Sequence, residues 1–190
     1  MTANRKSGET RIREAHPADE ADWQLLWAGY NAFHEAVVAD EITSRTWRRI
    51  IDPDTPMIGR MAEEGGTLVG FSICVLHEGT WVKTSICYLE DLFVSPGHRG
   101  KGIGRMLIED LLGLAAVCGW SRLYWHTRQD NPARRLYDEF TEADGFVRYV
   151  LKIGGGYPPR FYRRGRCPVW PPSSSFRRLA PFRGTCPSRA

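Results

Sequence analysis

The sequence predicts a mixed α/β (α+β) domain: a central sheet holding both antiparallel and parallel strands, with helices on its two faces. Three observations carry this expectation. Met57 to Glu63 and Thr67 to Leu76 read as strands joined at Glu64-Gly65-Gly66, a hairpin signal. Leu89-Glu90-Asp91-Leu92-Phe93-Val94 reads as a strand, broken by Ser95-Pro96-Gly97-His98 and followed by a glycine-rich turn, Arg99-Gly100-Lys101-Gly102-Ile103-Gly104, that opens a helix. Trp120 to Thr127 then reads as the next strand, so the chain returns to the sheet through a crossover helix.

Taken in order, Thr10 to Ala15 is a short strand and Asp19 can cap the helix that follows. Trp23, Leu26, Trp27, Tyr30, Phe33 and Val37 form one apolar, aromatic stripe on that helix. A second helix is expected from about Ser44 through Trp47 and Ile50, then the hairpin. After His77-Glu78-Gly79 a long strand runs to Val94. Beyond Gly104, Leu107, Ile108, Leu111, Leu112, Ala115 and Cys118 recur at helical spacing, and Gly119 supplies a stop. Asn131 is a helix cap with Pro132 at the first helical position; Ala133, Leu136, Tyr137 and Phe140 share a face, and the helix ends before Gly145. Phe146 to Ile153 alternates, with Val147, Tyr149, Leu151 and Ile153 on one side, and is expected to be a last strand.

Composition divides the chain. Residues 1–9 read as a flexible N-terminus, 10–153 as one domain, and 154–190 as a disordered tail with seven prolines and eight arginines but no acid. The whole chain carries 26 basic and 22 acidic side chains; without the tail the balance is 18 against 22, so the body is acidic despite the formal +4. A neutral appendage, a weak contact with nucleic acid or acidic protein, and the product of a shifted reading frame all remain open for the tail. No apolar run approaches the ~18–20 residues of a membrane span, and the N-terminus lacks a signal peptide's apolar stretch, so the expectation is a cytoplasmic protein. Cys74, Cys87 and Cys118 lie in apolar surroundings and read as free buried thiols, while Cys167 and Cys186 lie in the tail. Neither Cys-x-x-Cys nor paired histidines occur, so no metal is expected.

A glycine turn opening a helix aims unpaired N–H groups at one spot, and the helix dipole adds to their attraction for an anion. Arg99, Lys101 and Arg105 surround that spot, which reads as a diphosphate cradle. Neither the dinucleotide-binding G-x-G-x-x-G nor the Walker A pattern fits the run. A plain strand-to-helix turn with solvated basic residues remains the alternative.

Arg99, Gly102 and Gly104 also stand at the fixed positions of the Arg/Gln-x-x-Gly-x-Gly/Ala signature, and Asn131…Ala133…Leu136-Tyr137…Gly145-Phe146 follows at the expected distance. Together the two blocks resemble the GNAT superfamily of acetyl-CoA-dependent N-acetyltransferases over residues 10 to 153. Leu89-Glu90-Asp91 and the Trp-x-x-Leu-Trp-x-Gly-Tyr run resemble its histone-acetyltransferase-like and diamine-acetylating branch.

The resemblance implies a sheet whose two central parallel strands splay apart, and a reaction in which an amine attacks the thioester of acetyl-CoA. It implies that Tyr137 is general acid to the leaving thiolate and that Glu90 helps deprotonate the amine. Asp91 is a second carboxylate there; strand alternation points the two to opposite faces, so one can be structural. Phe93 and Val94 would pair through their backbone with the pantetheine arm. Arg99, Gly100, Lys101, Gly102, Ile103, Gly104 and Arg105 would hold the diphosphate, and Asn131 would bond the cofactor arm or act as a plain cap. Trp27, Tyr30, Phe33, Glu35, Asp40, Glu41 and Asp91 would border the acceptor. His126 reads as a sheet histidine. A small polyamine-like amine is the first choice of acceptor. A protein lysine or N-terminus is the second, and a non-catalytic acyl-CoA sensor is the rival. A homodimer is compatible with the family.

Overall fold

The computed structural model describes residues 8–151. The expectations for residues 1–7, for Ile153, for the basic tail and for Cys167 and Cys186 lie outside them. The described strands are β1 (Thr10–Glu14), β2 (Met57–Glu64), β3 (Thr67–His77), β4 (Ile86–Val94) and β5 (Arg122–Trp125). The helices are α1 (Glu20–Phe33), α2 (Asp40–Ile51), α3 (Ile103–Cys118) and the single turn α4 (Arg134–Tyr137). The strands form one sheet in sequence order, antiparallel from β1 to β4, with β5 parallel to β4 across the α3 crossover.

Alternation sorts the strand side chains into two cores. On one face Trp23, Leu26 and Trp27 of α1 and Trp47 and Ile50 of α2 pack on Met57, Met61, Phe71, Ile73 and Phe93. Trp23 stacks on Trp27 and meets Trp47 with ring centroids 5.0 Å apart. On the other face Ile108 and Leu111 of α3 cover Cys74, Cys87 and Leu89, with Leu136, Tyr137 and Phe140 against the same cluster. Gly29 lets α1 lie close to the sheet: a Cβ there would stand 3.0 Å from Phe93 Cζ.

Ion pairs fasten the periphery. Arg60 on β2 forms a two-pronged bond with Asp110 on α3 at 2.7 and 2.8 Å. Arg13 binds both Asp19 oxygens and also reaches Glu63. The Arg13 guanidinium holds the Asp19 carboxyl below its ordinary range despite opposing desolvation.

Several expectations are corrected here. Asp19 does not cap α1 with its side chain; its carboxylate accepts from His16 N–H across a preceding 3-10 turn and pairs with Arg13. Helix α2 begins at Asp40 rather than Ser44, and α1 stops at Phe33, leaving Val37 fully exposed. Cys118 ends α3 on its exposed side. Only Arg134–Tyr137 is helical in the region after Asn131. The chain divides after Asp144. Residues 145–151 carry no helix or strand, and Phe146, Val147, Tyr149, Val150 and Leu151 are exposed, so the last strand is not formed over these residues. Alternation marks the segment as able to pair, but a strand exists only where a neighbour accepts its hydrogen bonds.

Trp23 has no exposed surface and touches three aromatic neighbours. Trp23→Ala should therefore lower the unfolding free energy by about 3–5 kcal/mol, read by denaturant titration. Because Asp19 is held below its unfolded pKa, its contribution is present above about pH 4 and is lost as the pH falls through the lower folded value. Asp19→Asn should flatten that acid limb of the stability profile.

Candidate active site

The site begins where β4 and β5 part. Their parallel pairing runs from Ile86 with Arg122 to Leu89 with Trp125, and there β5 ends while β4 continues to Val94. The β5-facing edge of residues 90–94 is thus released from its parallel partner. On its other side β4 stays paired with β3, but Cys74 matches Leu89 and Ile73 matches Asp91. Glu90 is the extra residue of a β-bulge, which turns the strand at the point of parting.

The bulge sets which face Asp91 occupies. Simple alternation puts Glu90 and Asp91 on opposite faces; the bulge resets the count, so Asp91 falls in step with Tyr88 and Phe93 on the α1 face, and Glu90 stands exposed. Asp91 is half-buried, and desolvation pushes its carboxyl up to about 6, against a hydrogen bond from Tyr30 that pulls the other way. Burial also raises the Tyr30 hydroxyl, and Asp91, Glu90 and Tyr137 all act on it in the same direction. Asp91, Glu90 and Tyr137 therefore all lie within electrostatic reach of the Tyr30 hydroxyl. Burial raises the Tyr137 hydroxyl too, which keeps it protonated at neutral pH. The Tyr137 ring packs on Trp125 at 5.4 Å, beside the parting strands.

Beyond the bulge, Ser95 leads into a 3-10 turn and then the glycine turn. Gly100 and Gly102 have φ of +76° and +82°, the left-handed region, and the space beside each is open. Helix α3 makes its first bond from Met106 N–H to Gly102 O at 3.0 Å. The N–H groups of Ile103, Gly104 and Arg105 precede that bond and point out of the helix end, as a bound diphosphate requires. The Ile103 side chain is buried in a core with Leu107, Ala62 and Val69, so only its backbone faces the turn. Gly104 serves the packing of two helices. A Cβ there would lie 3.0 Å from Leu136 Cδ2, so its bareness lets α4 close on α3 and brings Tyr137 to the site.

The three cations of the turn are each engaged by the protein. Arg99 donates to Val94 O at 3.0 Å and lies over the rings of Phe33 and Phe93, 5.6 Å from each centroid. Lys101 pairs with Glu64 at 3.4 Å. Arg105 pairs with Glu139 and lies over the Phe140 ring. Arg105 thus clamps the segment carrying Tyr137. Asn131 is committed locally, donating to Thr127 Oγ1 at 2.8 Å and accepting from Ala133 N–H at 2.9 Å.

Of the residues expected to border the acceptor, Tyr30 and Asp91 meet at the site. Trp27 is buried between Trp23 and Tyr30 with its ring N–H on Thr43, and Glu35 stands exposed past the end of α1 at φ +52°. Sequence reasoning missed an aromatic row on the same sheet face as Asp91. Tyr88 stacks on Tyr124 at 5.0 Å, His126 meets both rings, and His77 bonds the Tyr124 hydroxyl at 3.1 Å. His126 lies just past β5, not within it. The two-residue spacing of Tyr124 and His126 was a signal, but reading it required the Tyr88–Tyr124 register.

Comparison with known proteins decides the lineage. The pattern of the acetyltransferase (GNAT) family matches residues 21–141. The chain belongs to this family. It is 33% identical over 148 residues to a D-amino-acid N-acetyltransferase of Saccharomyces cerevisiae, covering 77% of this chain and 91% of that one. It is 26% identical to the thialysine N-epsilon-acetyltransferase of Mus musculus, covering 74% of this chain and 91% of the other. The fold matches the crystal structure of a ribosomal-protein-alanine N-acetyltransferase from Brucella melitensis with a TM-score of 0.63 and 25% identity, covering 76% of this chain and 99% of that one. The protein is an N-acetyltransferase acting on amines, in a family that uses acetyl-CoA. Among the described residues no helix is long and apolar enough to cross a membrane.

A side chain at position 102 must adopt the left-handed region, at a cost of about 1–2 kcal/mol. Gly102→Ala should weaken CoA binding about tenfold by titration calorimetry; an unchanged Kd would exclude the turn from the binding site.

Proposed function

We propose that this N-acetyltransferase moves the acetyl group of acetyl-CoA to the primary amine of a small polyamine-like acceptor. The observation that carries the reading is the pair of carboxylates, Glu90 and Asp91, at the β4 bulge where the parallel pairing with β5 ends, with Asp91 on the face that carries Tyr30. The open spaces at Gly100 and Gly102 and the free end of α3 suit the diphosphate of acetyl-CoA, and the β4 edge at Phe93 and Val94 suits its pantetheine arm. Acids and aromatic faces attract a cation, and the row of Tyr88, Tyr124 and His126 offers a surface along which a second ammonium can lie.

An alkylamine arrives mostly as ammonium, since its pKa is near 10.4. Asp91 is the base we favour. Its half-buried setting makes it a stronger base than an ordinary carboxylate, and it remains ionised at neutral pH. Glu90, exposed at the bulge, holds the incoming ammonium or the water that relays its proton. As the amine nitrogen bonds to the acetyl carbon, a main-chain N–H of the released β4 edge faces the carbonyl oxygen's growing charge. The carbon–sulfur bond then breaks, and Tyr137 hands its hydroxyl proton to the departing thiolate.

The yeast and mouse relatives are named for amino-acid acceptors. That favours a free amino acid as the second reading. A panel of diamines, D-amino acids, thialysine and lysine peptides, scored by kcat/KM from CoA release, separates the two: a preference for diamines supports the first, and a preference for amino acids overturns it.

With Asp91 as base, kcat/KM should rise as the pH climbs through about 6, because only the ionised form accepts a proton. Asp91→Asn should remove that limb and reduce turnover by about 10²–10⁴-fold. Tyr137→Phe should lower kcat by an order of magnitude or more, with acetyl-CoA affinity nearly unchanged. A chain ending at Ile153 should keep full turnover; a large loss would give residues 154–190 a catalytic role.

A further inference from the structure

We infer that Glu64, outside both sequence blocks of the family resemblance, is a positioning residue for the turn that receives the diphosphate. The inference rests on the acetyl-CoA reading given above. Glu64 ends β2, and the hairpin that follows fixes its place. Gly65 and Gly66 both have positive φ, +60° and +82°, as a two-residue turn matched to strand twist requires. Glu64 pairs with Thr67 across that turn and with Thr10 on the other side, so its backbone is held from both neighbours.

From this corner one carboxylate oxygen reaches the turn at two points. Glu64 Oε2 stands 3.2 Å from His98 Nε2 and 3.4 Å from Lys101 Nζ. The other ring nitrogen of His98 bonds Ser95 Oγ at 2.8 Å, and Ser95 N–H donates to Val69 O at 2.9 Å. Val69 comes just before Gly70, which pairs with Val94, so this bond carries the β3–β4 ladder one step further. The segment from Ser95 to Lys101 is therefore tied to the β2–β3 hairpin at its start, middle and end. Gly100 lies between two of these ties. A glycine in the left-handed region has many alternative conformations, and the ties select the one that turns the following N–H groups toward an anion.

Two opposed effects follow from removing the Glu64 charge. The site becomes more positive, which favours an anion, but both groups are partly exposed and this attraction is screened. The turn also loses two fastenings and must be ordered by the ligand instead. The second effect involves more contacts and acts on the backbone that binds, so affinity falls.

The test compares wild type with Glu64→Ala and Glu64→Gln, using CoA in titration calorimetry and both acetyl-CoA and S-acetylpantetheine as donors in turnover. The shorter donor lacks the diphosphate and the nucleotide. Glu64→Ala should raise the Kd of CoA and the KM of acetyl-CoA about five- to tenfold, with kcat and the amine KM unchanged and kcat/KM for S-acetylpantetheine as in wild type. Glu64→Gln keeps an oxygen toward His98 without the ion pair and should show a smaller rise. An unchanged or tighter CoA Kd overturns the inference, as does an equal loss with both donors, which would mean general damage to the fold. If wild type binds CoA yet acetylates no amine, the functional reading fails while the CoA Kd still decides the role of Glu64.

Discussion

Two parallel strands that begin side by side ordinarily stay paired, because each residue of separation leaves backbone groups without partners. In this protein β4 and β5 keep company only to Leu89 and Trp125. Beyond that point β5 gives way to the loop that Asn131 organises, and α4 packs against the second core through Leu136 and Tyr137. The stretch of β4 past Leu89 is thereby left without a strand on its β5 side. Such an edge favours an occupant with its own amides, which a pantetheine arm supplies. The protein partly answers the need itself, through Arg99 on the Val94 carbonyl. The bulge at Glu90 sits at the same point and turns Asp91 toward the face of Tyr30.

The electrostatics of the neighbouring turn follow a similar division of labour. Its basic side chains look like phosphate ligands in the sequence, but each already has a partner: a carbonyl and two rings for Arg99, Glu64 for Lys101, Glu139 and Phe140 for Arg105. In this arrangement they hold the turn, and in the proposed reading the main-chain N–H groups are left to meet the anion. Arg105 and Gly104 also join the diphosphate end of the site to the Tyr137 end, because both lie in the first turn of α3 and both engage the α4 segment. In the proposed mechanism, binding at one end and proton delivery at the other would therefore depend on the same helix.

Much of this was legible in the residues. The glycine turn, the hairpin at Gly65-Gly66, the crossover helix and the aromatic stripe of α1 are local patterns, each set by φ preference or helical spacing, and each forms close to where it was expected. What failed was what depends on partners. Which of Glu90 and Asp91 turns toward α1 was not legible, because a bulge is a property of two strands, visible only in the β3–β4 register. Asp19 looked like a cap for α1 because its alternative partner, Arg13, lies on the preceding strand. The alternation at Phe146 to Leu151 suggested a strand that these residues do not form. The row of Tyr88, Tyr124 and His126 joins residues more than thirty positions apart, and no single-segment pattern could assemble it.

In the proposed reading, the released edge of β4 and the glycine turn together receive the acetyl donor. Hydrogen exchange at individual amides, with and without CoA, addresses this directly. Slower exchange is predicted at residues 91–94 and at 100–105 when CoA is present, with β1 and β2 unchanged. Equal exchange in both segments at saturating CoA, or protection confined to other parts of the fold, would contradict it.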